Sequence, residues 1–109
     1  MSELANPLES HIDTVSFLPD LKFELGHVVV TEGVHALVQA GNVDPLLCLT
    51  RHASGDWGDI PDVDKANNDH ALRGGSRIFS MYQLGPILKV YVITEWDRSV
   101  TTLLLPSEY

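Results

Sequence analysis

His52, Asp56 and His70, with Asp59 close by, are the side chains of this sequence best suited by type to hold a divalent ion. Imidazole nitrogens and carboxylate oxygens are the ligands that catalytic zinc takes, and a small metal-dependent hydrolase centred on them could use Arg77 and Arg98 to hold an anionic substrate. Their spacing matches no metal motif: no histidine follows another at i+4, and neither H-E-x-x-H nor a cysteine pair occurs. The oxygen-rich run DVDKANNDH lacks the mid-loop glycine and distal glutamate of an EF-hand. Asp62 and Asp64 fit the first turn of a helix instead, where the macrodipole favours negative charge, and Arg73 fits its last.

Nucleophiles are present by type without the context that activates them. Cys48 and His52 stand one helical turn apart, yet Cys48 lies between leucines in PLLCLT and is expected to pack as a small hydrophobe. As the sole cysteine it forms no disulfide within the chain. Ser54, Ser76, Ser80 and Ser99 lack a G-x-S-x-G elbow, and there is no P-loop lysine motif or G-x-G-x-x-G. No cofactor is expected, and an enzyme is the less favoured class.

The alternative to chemistry is contact. Asp56, Asp59, Asp62, Asp64 and Asp69 cluster around Trp57 in a chain whose formal net charge is -8. That charge repels nucleic acid and suits a basic protein surface, such as that of a protein which itself grips DNA or RNA. Trp57, between Gly55 and Gly58, either staples its loop to the core or serves as an anchor for the partner. Trp96 and Arg98 in TEWDRSVTT have the composition of an interaction hot spot. Their structural alternative is a turn favoured by Asp97, with Arg98 pairing to a carboxylate across it. The expected partner-binding set is therefore Asp56, Trp57, Asp59, Asp62, Asp64, Asp69, Trp96 and Arg98.

The elements that must position these residues follow from pattern. Residues 1–20 mix Ser, Glu, Asn and Pro without a sustained period and read as a loosely docked arm; residues 21–109 read as one α+β domain. The valines of HVVVT predict a strand, with Gly26 as a bulge before it. Thr31 predicts a helix cap with Val34, Leu37 and Val38 on one face, and Gly41 a stop. Asp44 and Pro45 predict a second helix burying Leu46, Leu47 and Leu49 or Cys48, with a strand as the competing assignment. A third helix is expected from Asp62 to Arg73, ended by Gly74 and Gly75. SRIFSMYQL, ILKVYVITE and SVTTLLLP then predict a three-stranded antiparallel meander, the first strand joining one edge and the helices covering one face. No stretch has the length of a membrane span or the layout of a secretion signal, so a cytoplasmic location is expected. A homodimer through the sheet edge or exposed aromatics is a further expectation.

From about Phe23 to Tyr109 the chain resembles small accessory proteins carried on bacterial plasmids, integrative elements and prophages. The likeness rests on RHASGDWGD, on Asn68 with the following ALRGGSRIFSMY, and most specifically on VITEWDRSVTTLLLPSEY. It implies an accessory role on a mobile element and supplies no catalytic residues. Small acidic proteins of such elements act against host nucleic-acid-targeting defences, as anti-CRISPR and antirestriction proteins do, by covering a basic surface meant for DNA or RNA. That is the partner class the resemblance implies.

Overall fold

The computed structural model describes residues 21–109, so the expected arm over residues 1–20 lies outside the described residues. The chain runs through strand β1 (His27–Val30), helices α1 (Glu32–Gln39), α2 (Pro45–Ala53) and α3 (Asp62–Gly74), strands β2 (Ile78–Gln83), β3 (Lys89–Thr94) and β4 (Val100–Leu104), and a closing 3-10 turn (Pro106–Glu108). Among the described residues no helix is long and apolar enough to cross a membrane.

Local chemistry sets the helix ends. Thr31 accepts a hydrogen bond from the Val34 amide, and the Glu108 carboxylate accepts from the Gly33 amide at 2.8 Å and the Thr31 hydroxyl at 2.5 Å, so two side chains satisfy the first turn of α1. Asp44 caps α2 by accepting from the Leu46 and Leu47 amides, with Pro45 in the first turn, and this decides residues 45–53 for helix over strand. The buried face of α2 differs from expectation. Cys48, His52 and Ala53 point inward, while Leu46 and Leu47 are exposed, because the i, i+4 pair Cys48 and His52 takes the core side. Gly75, at a left-handed φ of 76°, stops α3 as expected.

The sheet has the order β1-β4-β3-β2. β2, β3 and β4 form the antiparallel meander, and β1 joins an edge as expected, but it runs parallel to β4, which makes the sheet mixed. No tight turn joins β1 to β4. The chain between them passes through three helices and two strands, and nothing in it forces the antiparallel direction that a hairpin would impose.

One face of the sheet is sealed. Ile78, Ser80 and Tyr82 on β2, Val90, Val92 and Thr94 on β3, and Thr101 and Leu103 on β4 are all fully buried. Val34 of α1, Val43, and Cys48 of α2 pack into a cluster with Tyr82, Val90, Val92 and Leu103. Each such side chain contributes about 1.5–3 kcal/mol by leaving water. The opposite face carries Ile93 and Leu104, which are buried, with Phe79, Met81, Tyr91 and Thr102 half-buried around them.

The two sheet edges are treated differently. Along the outer side of β2, the Met81 amide donates to the Trp57 carbonyl and the Met81 carbonyl accepts from the Asp59 amide. Asp59 Oδ2 accepts from the Gln83 amide, and Asn68 meets both backbone groups of Phe79. Each outward residue of that strand thus meets the 57–59 loop or α3 through at least one backbone group. On β1, His27 and Thr31 donate inward to Ser99 and Leu103, so by alternation the outward backbone groups belong to Val28 and Val30. No described strand lies beyond them.

Candidate functional site

His52 is fully buried beneath the sheet and stands in a line of hydroxyls. Its Nδ1 lies 2.6 Å from Ser80 Oγ and its Nε2 2.9 Å from Thr94 Oγ1; Thr94 Oγ1 lies 2.6 Å from Thr101 Oγ1, which donates to the Leu25 carbonyl at 2.7 Å. A carbonyl only accepts, so the Thr101 proton is committed to Leu25, the Thr94 proton to Thr101, and the Nε2 proton of His52 to Thr94. Nδ1 is left to accept from Ser80. The order of donors puts a proton on Nε2, and burial of the ring keeps it neutral, with Nδ1 the acceptor. Burial, with the Arg98 charge adding to it, holds the His52 pKa down at about 3. Ser80 is a hydroxyl beside a histidine by geometry, yet both are sealed from solvent, so this line joins strands rather than attacking a substrate.

The metal set is corrected by the same observation. Both nitrogens of His52 are occupied inside the core, Asp56 is bound to Arg51, and His70 is exposed on α3. Among the described residues no group of three His, Cys, Asp or Glu side chains could hold a metal ion, so His52, Asp56 and His70 do not form a centre. Cys48 is buried and its thiol is pushed up chiefly by that burial, which leaves it protonated and packed.

The GDWGD loop folds inward. Asp56 takes the Arg51 guanidinium at 2.6 Å and 3.3 Å, an ion pair that holds its carboxyl below the usual range, and the Asp56 carbonyl accepts from the Tyr82 hydroxyl. Trp57 is only 5% exposed, its ring set against Phe23 and His52, and its Nε1 donates to Asp69 at 3.0 Å. Gly58 forms a bridge with Met81 at a φ of 80°, where a Cβ would lie 2.1 Å from the Met81 carbonyl oxygen. The loop covers the β2 edge, and Asp56, Asp59 and Asp69 each already hold a group of the protein itself.

Arg98 is likewise engaged. It occupies the left-handed region at φ 62°, in the turn between β3 and β4, and its guanidinium donates to the carbonyls of Ser76, Glu95, Trp96 and Ala71. The Ala71 and Ser76 bonds pin that turn to the C-terminal end of α3. The carboxylate pairing expected for Arg98 is replaced by these carbonyls. Trp96, in the same turn, stands out at 66% exposure. At the other end of α3, about 20 Å away by helix rise, Asp62 is exposed and Asp64 half-exposed, and neither accepts a hydrogen bond from a described side chain.

Beside Asp64 opens a cleft of about 370 Å³ between α3 and the less covered face of the sheet, lined by Asp64, Asn67, Asn68, Arg77, Phe79, Tyr91 and Tyr109. Its aromatic wall is a run of edge-to-face contacts: Phe79 to Tyr91 at 4.9 Å and Tyr91 to Tyr109 at 5.8 Å between centroids. Arg77 donates to the Tyr109 hydroxyl and lies 5.5 Å from the centre of its ring. Comparison with protein-family models, with curated proteins and with solved structures finds no match to this chain.

Neither the hydroxyl line nor the aromatic wall is visible in a local motif. The only signals are Ser80, Thr94 and Thr101 at inward positions of otherwise apolar strands, and Phe79 and Tyr91 at alternate, outward ones.

Proposed function

We propose that this protein is a non-enzymatic binding protein of a mobile element, and that it docks on a basic protein surface through the two ends of α3. Asp62 and Asp64 supply the attraction at one end and Trp96 the apolar anchor at the other. The observation that carries this is the attachment of the Trp96 turn to α3 by Arg98, which puts an exposed tryptophan and carboxylates that accept from no described side chain on one support. Charge attraction speeds encounter and fixes orientation, while a buried aromatic supplies most of the holding energy. A surface built to grip DNA or RNA is the partner such a face suits, which makes a nucleic-acid-targeting defence effector, of the kind anti-CRISPR and antirestriction proteins block, the class to test. Asp56, Asp59, Asp69 and Arg98 then serve docking indirectly, by holding the loop and turn that frame α3.

The test is capture of basic, nucleic-acid-binding host proteins at low salt by the full chain, by the Asp62→Lys/Asp64→Lys pair and by Trp96→Ala, each checked for native circular dichroism. Loss of capture by both variants is expected. Capture that survives both ends the proposal.

A second reading, self-association, is favoured by β1, where Val28 and Val30 present outward backbone groups and Val28, Val29 and Val30 are all exposed. Two such edges would pair about a two-fold axis. Sedimentation of the wild type against Val28→Lys reads the outcome directly.

A further inference from the structure

We infer that the cleft between α3 and the sheet takes a guanidinium group, an arginine side chain of the basic protein partner, laid against Tyr91 and paired with Asp64. This rests on the docking function proposed above and names the side chain that the acidic end of α3 receives. The cleft has the components that a planar cation needs. Its wall is formed by the rings of Phe79, Tyr91 and Tyr109, and a ring face attracts a cation through its quadrupole. Asp64 lines the same space, with no described side chain donating to it, and a carboxylate matches the two parallel N–H groups of a guanidinium fork. Asn67 lines it too, and its amide oxygen can take one of the remaining donors.

Arg77 shows that this wall suits a guanidinium. Its own group lies over the Tyr109 ring and donates to the Tyr109 hydroxyl, so the chain already seats one arginine on one member of the aromatic run. Asp64 and Tyr91 form the part of the lining that Arg77 does not hold. An anion recruited by Arg77 is the weaker candidate, because Asp64 faces the same space and the chain as a whole is strongly negative. Lysine is also weaker, since an ammonium is a point charge that cannot bond a carboxylate in parallel pairs while lying flat on a ring.

The experiment titrates the full chain with the amide of acetylated arginine, and separately with its citrulline counterpart, which keeps the shape and loses the charge. Both are followed by nuclear magnetic resonance. The arginine probe is expected to shift the signals of Tyr91 and Asn67 and to bind about tenfold more tightly than citrulline. Asp64→Asn should weaken it by a similar factor, while Arg77→Ala, which removes a like charge, should tighten it. Equal binding of the two probes, unchanged binding to Asp64→Asn, or shifts confined to residues away from the cleft would each overturn the assignment. If capture of basic proteins is lost in Asp62→Lys while the arginine probe fails at the cleft, the docking function stands and the arginine seat falls. If capture is indifferent to Asp62, Asp64 and Trp96, the docking function falls whatever the probe does.

Discussion

The side-chain amide of Asn68 stands in for a neighbouring strand at Phe79: its Oδ1 accepts from the Phe79 amide at 3.1 Å and its Nδ2 donates to the Phe79 carbonyl at 2.6 Å. The residue is nearly buried, so water does not replace it readily. Asn68→Ala leaves two backbone groups without partners and should lower stability by about 2–4 kcal/mol. Asn68→Asp keeps the acceptor but loses the donor and sets a carboxylate against a carbonyl. Chemical denaturation should rank it with the alanine variant rather than with wild type.

His52 makes stability depend on pH in a window of its own. Its folded pKa is about 3, against an ordinary 6.5, so between those values the unfolded chain binds a proton that the folded chain refuses. Its contribution is complete above pH 6.5 and declines as pH falls toward 3, with a slope of about 1.4 kcal/mol per unit. Asp56, whose carboxyl is lowered mainly by Arg51, acts in the same direction but only at more acid pH, below the ordinary carboxylate range. Urea midpoints of wild type and His52→Gln across pH 4 to 7 should diverge in slope, the variant being the flatter; parallel slopes would contradict a neutral buried histidine.

Gly58 cannot be replaced without moving the loop that shields β2. Its left-handed φ disfavours any other residue, and a methyl group there collides with backbone rather than with a flexible side chain. Gly58→Ala should cost at least about 2 kcal/mol. Emission from Trp57, isolated in a Trp96→Phe background, should shift to the red as the ring loses its cover. Gly74, beside which a Cβ meets nothing, is the control and should tolerate alanine far better.

Arg98 is the one non-glycine described residue at positive φ, and its guanidinium offsets that strain by closing four carbonyls. Arg98→Ala keeps the strained backbone and loses every bond, and about 2–3 kcal/mol of destabilisation should follow. Arg98→Gly relieves the backbone and should recover part of that loss, while still freeing the Trp96 turn from α3. Hydrogen exchange at the C-terminal end of α3 should rise in both.

The elements were readable in the sequence because their signals are local. Thr31, Asp44 with Pro45, and Gly75 mark helix ends through the bonds and dihedrals they need, and the alternation of Val90 and Val92 with Lys89 and Tyr91 marks a strand with one sealed face. The parallel placement of β1 was not readable, since it follows from closure of the whole chain. Nor was the fate of the aspartates. Asp56, Asp59 and Asp69 look like one acidic patch in a string of letters, but Arg51, the Gln83 amide and the Trp57 indole each claim one of them. Cys48 and His52 were legible as one helical turn apart, but that His52 meets Ser80 and Thr94 on two other strands was not.

The pairing of His27 with Val100 spans roughly seventy residues of intervening chain. During synthesis β1 therefore leaves the ribosome long before β4 exists to receive it, whereas β2, β3 and β4 can join one another almost as they emerge. The three consecutive valines, among the strongest β-formers in the chain, wait unsheltered through that interval. By this topology, seating them is expected as a late step of folding, with crowding by neighbouring nascent chains the hazard until it occurs.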